Sequence, residues 1–245
     1  MSDLLIFTTA EGRYKVYTDL FTTVCKRAYP QYDVRVMETH TVKQYGSACM
    51  RFLFPVAPGY KYIYITDIDM MICPETPSLL DFHLAEIMET GLCYSNVPRW
   101  KEPMGENRMT GLHFVTEEWW GVTHEARAKE TIRLVNGEIG SCKCDDELLL
   151  MRIVRASGLR VTDRKHLISR HHGIHLGTLR DYRQFSYQKR RANVYKRLKG
   201  DKARFWVEFV ETEEYRSLFS AIRKADEQAK WELEELEKFA RQIAK

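Results

Sequence analysis

The chain has 245 residues, of which 44% are hydrophobic and 29% are charged, and its net charge is +4. This composition is typical of globular proteins and excludes collagen-like, fibrous and intrinsically disordered chains. No apolar run approaches the roughly 20 residues that a membrane-spanning helix needs. The N-terminal residues lack the basic flank and the long apolar stretch of a signal peptide, so we expect a cytoplasmic protein.

The first 180 residues alternate between strand-like and helix-like segments, a pattern typical of α/β domains. The first predicted elements are a strand at residues 4–9, a helix at 17–28, a strand at 33–37, a helix at 48–54 and a strand at 60–66. After these come strands at 91–96 and 112–115, helices at 123–135 and 146–156, and a strand at 159–162. The aromatic and β-branched run at 60–66 is the strongest strand signal.

The C-terminal part of the chain has a different pattern. Apolar residues recur at helical spacing near residues 215–222 and again, more loosely, near 231–243. We therefore expect two domains: an α/β domain over residues 1–180 and a basic, helical extension over residues 181–245.

Positive charge is concentrated in residues 180–204, which contain ten Lys or Arg and two Asp, a net charge of +8. The remainder of the chain therefore carries 4 − 8 = −4. Such a stretch is either a solvated basic face or a contact for phosphate, membrane lipid or nucleic acid. In the membrane case the protein would lie peripherally at the inner face of the membrane.

Two carboxylates follow the strongest strand directly, at Asp67 and Asp69, with Ile68 packing inward between them. On an extended backbone, residues i and i+2 point to the same side, so both carboxylates reach one point. Mutual repulsion then favours a hard divalent cation such as Mn²⁺ or Mg²⁺ as their partner, with phosphate oxygens as further ligands. The alternative interpretation is an ordinary turn after a strand, with both acids solvated.

The run Arg51-Phe52-Leu53-Phe54-Pro55, followed by Tyr62-Ile63-Tyr64-Ile65-Thr66-Asp67-Ile68-Asp69, resembles the donor site of GT-A glycosyltransferases. The resemblance is closest to the retaining family 8 type, and it implies a Rossmann-like mixed sheet flanked by helices. It implies that Asp67 and Asp69 hold Mn²⁺ on the diphosphate of a UDP-sugar. It also assigns nucleotide contacts to the neighbouring donor-site residues Thr8, Thr9, Arg51 and Ile68.

A second motif, His175-Leu176-Gly177-Thr178-Leu179-Arg180, resembles the histidine, glycine and basic-residue motif of the same family. By this resemblance His175 is the third metal ligand, while Gly177 and Arg180 contact the diphosphate. Glycine permits close approach of the backbone to phosphate, and a cation offsets the charge of the leaving group. One residue rather than two separates His175 from Gly177, so His171 and His172 remain alternative ligands.

Acidic residues begin the predicted helix near residue 146, and the resemblance places Asp145 and Asp146 beside the transferred sugar. In a retaining reaction one of them stabilises the oxocarbenium-like transition state or acts as nucleophile; in an inverting reaction one is the general base. The alternative role is a favourable interaction with the helix dipole. Gly111 and His113 lie where the family lines its donor-sugar pocket, although His113 also fits an ordinary sheet position.

The leading hypothesis is a metal-dependent glycosyltransferase that transfers a sugar from a nucleotide donor, in particular a UDP-sugar, to an acceptor hydroxyl. We expect the acceptor to be a saccharide or a lipid-linked glycan, and the alternative acceptor is a hydroxylated base in DNA. A phosphohydrolase of the haloacid dehalogenase type also places D-x-D after a buried strand, with its first Asp as the nucleophile. A nucleic-acid-binding module would explain the basic stretch alone.

Overall fold

The computed structural model describes residues 2–39, 47–54, 59–99, 107–138, 145–161, 172–180 and 198–244. Contacts divide the chain into two compact units, each assembled from three stretches. We call the first the sheet unit; it comprises Met1–Gly12, Tyr32–Asp67 and Leu80–Arg170. We call the second the helical unit; it comprises Arg13–Gln31, Ile68–Leu79 and His171–Lys245.

The sheet unit contains a five-stranded mixed sheet, whose strands are β1 (Leu4–Ala10), β2 (Asp33–Glu38), β3 (Tyr62–Ile65), β5 (Tyr94–Ser95) and β8 (His113–Thr116). Their order across the sheet is β2-β1-β3-β8-β5. β1 runs parallel to both β2 and β3, whereas β8 is antiparallel to β3 and β5. A separate hairpin-like pair joins β6 (Pro98–Arg99) to β7 (Arg108–Met109).

Helices and buried side chains complete the sheet unit. Its helices are α2 (Ser47–Leu53), α3 (Leu79–Thr90, of which Leu79 falls in the helical unit), α4 (Glu117–Val122), α5 (His124–Val135) and α6 (Asp145–Ala156). α2 packs on β1 and also contacts α5 and α6. One core cluster joins sheet residues such as Phe7 and Ile65 to Phe52, Trp119 and Leu150 of these helices. All seven residues of β1 are buried, including Thr8 and Thr9, as expected for a strand that lies between two parallel neighbours.

The helical unit combines α1 (Thr18–Ala28), preceded by a 3₁₀ helix at Gly12–Tyr17, with later helices and a short strand pair. These helices are α7 (Gly177–Arg180), α8 (Asp201–Val210), α9 (Glu213–Ala225) and α10 (Glu227–Ile243). The side chains of Thr212 and Asp226 cap α9 and α10 by accepting hydrogen bonds from backbone N–H groups of their first turns. The strand pair is β4 (Met70–Ile72) with β9 (Gly173–His175), which run antiparallel.

The structure confirms an α/β chain with a mixed sheet, flanking helices and a helical C-terminal part. Gly137 (φ 76°) and Gly158 (φ 71°) follow α5 and α6, the ends that these glycines predict. The strand predicted at residues 159–162 is wrong for its described part, because 159–161 belong to no strand. There the carbonyl of Arg160 accepts a hydrogen bond from the Tyr94 hydroxyl at 2.9 Å, rather than from a neighbouring strand.

Three expectations concern the chain as a whole. None of the helices in the described ranges combines the length and apolar character needed to cross a membrane. The division at residue 180 stays a prediction, as does the cytoplasmic location.

Candidate functional site

Asp67 lies just beyond the C-terminal end of β3, where several polar groups of the sheet unit converge. The carbonyl of Thr66, the residue before it, accepts hydrogen bonds from Thr8 Oγ1 and from Arg51 Nη1, both at 2.8 Å. The backbone N–H of Thr66 donates to the carbonyl of Phe7 at 3.0 Å. These bonds tie the start of the D-x-D motif to β1 and α2.

Arg51 is the cation at this end of the sheet, and its side chain is only 3% exposed. Nη1 lies 2.5 Å from Asp67 Oδ1, and Nη2 lies 2.9 Å from Asp146 Oδ2 at the start of α6. Burial alone would lower the pKa of Arg51, but the charges of Asp67 and Asp146 outweigh it and raise the pKa above its ordinary value. Arg51 therefore stays protonated and joins α2, the end of β3 and α6 through one guanidinium.

Gly111 packs against this ion-pair group. A Cβ placed at Gly111 would lie 2.5 Å from Arg51 Nη2, 3.3 Å from Asp146 Oδ2 and 3.6 Å from Asp67 Oδ1. Any side chain at this position would push against the guanidinium. The backbone at residue 111 lies so close to the charged groups that only glycine fits there.

A second ion-pair group lies next to the first. Glu147 follows Asp146 on α6 and is contacted by Arg99 Nη1 at 2.8 Å and Arg108 Nε at 2.9 Å. Burial raises the pKa of Glu147; the charge of Arg99 opposes this, and repulsion from Asp146 adds to it. The two groups place three carboxylates and three guanidinium groups together in the sheet unit. The start of α6 is thus held to β6 and β7 as well as to α2.

His113 is completely buried at the start of β8 and is surrounded by the rings of Phe52, Tyr94 and Trp119. Burial, aided by the charge of Arg51, lowers the pKa of His113 to about 3. The imidazole is therefore neutral in the folded protein. In this structure a direct contact of His113 with sugar, which the resemblance implies, would require entry of the sugar into the core.

The other half of the D-x-D motif belongs to the helical unit. Asp69 comes just before β4, is 4% exposed and has its Oδ1 3.1 Å from His175 Nε2. The β4–β9 register creates this contact, because Met70 is paired with His175 and the N–H of Leu176 donates to the carbonyl of Asp69 at 2.9 Å. Two residues 106 positions apart in sequence are thereby brought to hydrogen-bonding distance.

Gly177 has its backbone against this pair. A Cβ at Gly177 would lie 2.9 Å from His175 Nε2 and 3.3 Å from Asp69 Oδ2. A larger residue at this position would therefore press on the imidazole and the carboxylate. The contact of Gly177 with a diphosphate stays a prediction.

The chemistry of Asp69 and His175 fits a divalent metal ion. A carboxylate oxygen and a neutral imidazole nitrogen are ligands that Mn²⁺ accepts. Ligands at right angles around an octahedral ion, each about 2.1 Å from it, lie about 3 Å apart. The 3.1 Å between Asp69 Oδ1 and His175 Nε2 agrees with that spacing.

Three other predicted site residues are buried. Thr9 in β1 and Ile68 are both buried. His172, the alternative ligand, is completely buried and its carbonyl accepts a hydrogen bond from the N–H of Cys73 at 2.9 Å.

Some predictions fall outside the described part of the chain. Asp145 begins α6 and Arg180 ends α7, but their side chains lie outside the described residues. So do His171 and most of the basic stretch, residues 181–197. At the end of that stretch, Lys202 pairs with Glu75 at 2.6 Å, and Arg204 pairs with Asp201.

Sequence reasoning assigned no role to Asn96, Arg99, Arg108 or Glu147. Glu147 extends the acidic run that begins at Asp145, and Asn96 is a polar residue at the end of a predicted strand. These positions were the features of the sequence that could have marked Glu147 and Asn96 as candidate site residues. The arginines offered no signal, since nothing in the neighbouring sequence marks them as partners of Glu147, which is 48 positions from Arg99 and 39 from Arg108.

No protein-family model, curated protein or solved structure matches the chain.

Proposed function

We propose that this chain is a metal-dependent glycosyltransferase of the GT-A type, which transfers a sugar from a nucleotide donor to an acceptor hydroxyl. The donor we propose is a UDP-sugar, and the ion is Mn²⁺ or Mg²⁺. The observation that carries the proposal is the 3.1 Å contact between Asp69 and His175. It joins the D-x-D motif to the H-x-G motif, which the sequence resemblance relates through a shared metal ion.

In this proposal Asp67, Asp69 and His175 each supply one ligand atom. Asp67 is included because Cα atoms two residues apart in a chain lie within about 7 Å of one another. The bound ion would neutralise charge on the diphosphate as it leaves with its nucleoside. Gly177 lets the backbone lie close to His175 and Asp69, where any larger residue would press on Nε2 of His175.

The role of Arg51 in this proposal differs from the nucleotide contact that the resemblance implies. Its guanidinium is buried and already bonded to Asp67, Asp146 and the carbonyl of Thr66. A buried, bidentate arginine of this kind orients carboxylates. We therefore assign Arg51 to holding Asp67 and Asp146 in place.

Asp146 is the described carboxylate that we place nearest the reacting sugar. Its pairing with the Arg51 guanidinium at 2.9 Å fixes its direction. An ionised carboxylate stabilises an oxocarbenium-like transition state or attacks the anomeric carbon in a retaining reaction, and removes the acceptor proton in an inverting one. The stereochemistry of the product therefore determines which role Asp146 has.

For the acceptor we propose a saccharide or a lipid-linked glycan, with a hydroxylated DNA base as the alternative. The basic residues 180–204 would serve either acceptor, because both carry phosphate or lie at an anionic surface. Binding to anionic vesicles and to duplex DNA at increasing salt separates the two. A steep loss of DNA binding with salt, without vesicle binding, favours the DNA acceptor.

The direct test uses a panel of nucleotide-sugars with the full chain, first with Mn²⁺ and then with a chelator. We expect one UDP-sugar to bind by calorimetry, and to be hydrolysed slowly, only when metal is present. Asp69→Ala should abolish this response, whereas Asp81→Asn, which changes an exposed carboxylate on α3, should not. Metal-dependent hydrolysis of a simple phosphate ester, with no response to any nucleotide-sugar, would overturn the proposal in favour of a phosphohydrolase.

A further inference from the structure

Asn96 lies between β5 and β6, is 9% exposed and makes a set of hydrogen bonds that no sequence motif predicts. Its Oδ1 accepts from the N–H of Thr110 at 3.1 Å and from Thr110 Oγ1 at 2.8 Å. Its Nδ2 lies 3.0 Å from the Thr110 carbonyl and 3.0 Å from His113 Nδ1. One carboxamide thus holds both backbone polar groups of Thr110 and one ring nitrogen of His113.

The orientation of this carboxamide follows from its partners. A backbone N–H only donates, so the atom of Asn96 that faces the Thr110 N–H must be the oxygen. A backbone carbonyl only accepts, so the atom that faces the Thr110 carbonyl must be the NH₂ group. Both requirements agree, and exchanging the two amide atoms would break both bonds.

The tautomer of His113 follows from that orientation. The NH₂ group of Asn96 has hydrogens and no lone pair to offer, so His113 Nδ1 must accept. A neutral imidazole with an accepting Nδ1 carries its proton on Nε2. Nε2 is buried and has no hydrogen-bond partner in the described part of the chain. Asn96 therefore supplies the hydrogen bond that selects the tautomer.

The hydrogen bonds between Asn96 and Thr110 also affect Gly111, the residue after Thr110. Gly111 packs against Arg51 Nη2 and Asp146 Oδ2, so the position of the Thr110 backbone sets how closely Gly111 approaches the guanidinium. His113, two residues further on, lies within the electrostatic reach of Arg51. Within the described part of the chain Asn96 has no hydrogen bond to Arg51 or Asp146, but its partner Thr110 adjoins Gly111 and its partner His113 is influenced by the charge of Arg51.

We propose that Asn96 is a positioning residue of the candidate site, which holds Gly111 against the Arg51–Asp146 pair and keeps His113 in its neutral Nε2–H form. The role in turnover rests on the proposed glycosyltransferase function, but the role in structure does not. Asn96 acts by fixing the backbone at Thr110 and by keeping a second cation away from Arg51.

The first experiment measures the ring ¹⁵N resonances of His113 and the Nε–H resonance of Arg51 in the full chain. The wild-type protein should show an unprotonated Nδ1 and a protonated Nε2 at neutral pH. In Asn96→Asp a carboxylate oxygen takes the place of the NH₂ group. Because that oxygen can only accept, Nδ1 of His113 should become protonated, and the added charge should shift the Arg51 resonance. Asn136→Asp, the same change at an exposed site, should leave both residues unaltered.

The second experiment measures kcat and KM for metal-dependent hydrolysis of the nucleotide-sugar. A misplacement of about 1 Å remote from the reacting atoms lowers turnover by about 100-fold. We expect Asn96→Asp to lower kcat by about that factor while KM and Mn²⁺ affinity change little. Thr110→Ser keeps the hydroxyl that Asn96 accepts from, so it should retain near-wild-type kcat.

The outcomes separate the two proposals. A protonated Nδ1 in the wild-type protein, or an Arg51 resonance that is unchanged in Asn96→Asp, would overturn the positioning role. Equal kcat in wild type and Asn96→Asp would also overturn it. A wild-type protein without any nucleotide-sugar turnover would instead overturn the proposed function, and the resonances would then decide the role of Asn96 alone.

Discussion

Asp67 and Asp69 are two residues apart in sequence, but their surroundings differ in charge. Asp67, in the sheet unit, has a side chain that is 29% exposed and is bonded to the guanidinium of Arg51. Asp69, in the helical unit, has a side chain that is 6% exposed and contacts the imidazole of His175, with Gly177 beside it. The first carboxylate is neutralised by a permanent cation, whereas the second faces a group that can be neutral.

The difference separates two tasks within one motif. The ion pair with Arg51 fixes the orientation of the Asp67 carboxylate and already neutralises its charge. Asp69 Oδ1 and His175 Nε2, which are 3.1 Å apart, together offer a carboxylate oxygen and an imidazole nitrogen to a divalent ion. We infer that Asp69 and His175 provide most of the affinity for metal, and that Arg51 and Asp146 mainly orient Asp67.

The largest expected effect comes from removing the permanent cation. Arg51→Met leaves Asp67 and Asp146 close together without their shared partner, and loss of one member of a buried ion pair costs about 3–5 kcal/mol. We expect the free energy of unfolding in urea to fall by about 3 kcal/mol, since both carboxylates keep some solvent contact. Adding Asp146→Asn should restore part of the loss; additive effects of the two changes would contradict the pairing.

Replacing Asp69 should affect metal affinity more than stability. In Asp69→Asn the shape is kept but the charge is lost, so we expect Mn²⁺ affinity to fall by more than about 100-fold, the upper end of what loss of an outer-shell partner costs. Titration followed by electron paramagnetic resonance measures the change, with Asp81→Asn as the control. Unchanged affinity in Asp69→Asn would place the metal elsewhere.

The two glycines test the two halves of the motif separately. In Gly111→Ala the new methyl would overlap Arg51 Nη2, and in Gly177→Ala it would press on His175 Nε2. Overpacking of this kind costs about 1–3 kcal/mol. We expect thermal stability to fall in Gly111→Ala, and metal affinity to fall in Gly177→Ala.

Gly121→Ala is the control for both glycine variants, because a Cβ at Gly121 meets nothing within 4 Å. That variant should keep wild-type stability and metal affinity. If Gly111→Ala and Gly177→Ala behave like Gly121→Ala, the close approach at both positions has no energetic consequence.

The last expected effect is a pH dependence at His113, which appears only below about pH 6.5. Its folded pKa is about 3, whereas an unfolded histidine titrates near 6.5. Between these values the unfolded chain binds more protons, so the contribution is fully present above about pH 6.5 and is lost as pH falls, by up to about 1.4 kcal/mol per unit. Unfolding measured between about pH 4 and 6 should show a shallower slope in His113→Gln than in wild type; equal slopes would exclude the assignment.

Much of the fold could be predicted from local patterns. Strands β1, β2 and β3 and helices α1, α2, α5 and α6 lie within a residue or two of the predicted bounds. Their apolar residues recur with a period of two or about 3.6, which is a signal that a short window contains. Short elements without such a period, such as β4, β9 and α4, were not predicted.

The candidate site shows the same limit. The D-x-D motif could be placed at the end of β3 from sequence because it directly follows a strong strand signal. The hydrogen bonds of Arg51 to Asp146 and of Asn96 to His113, and the ion pair of Glu147 with Arg108, could not be placed. Each depends on how distant elements pack, and a local window contains no information about that.

The amino-acid sequence by itself determined which residues are apolar and at what period, and therefore the α/β pattern, the buried strand β3 and two carboxylates at its end. Tertiary structure decided the partners of those carboxylates. Arg51 and Asp146 are 95 positions apart, and Asp69 and His175 are 106 apart. Contacts at such separations form only when strand pairing and helix packing close the intervening chain, so their chemistry emerges with the fold.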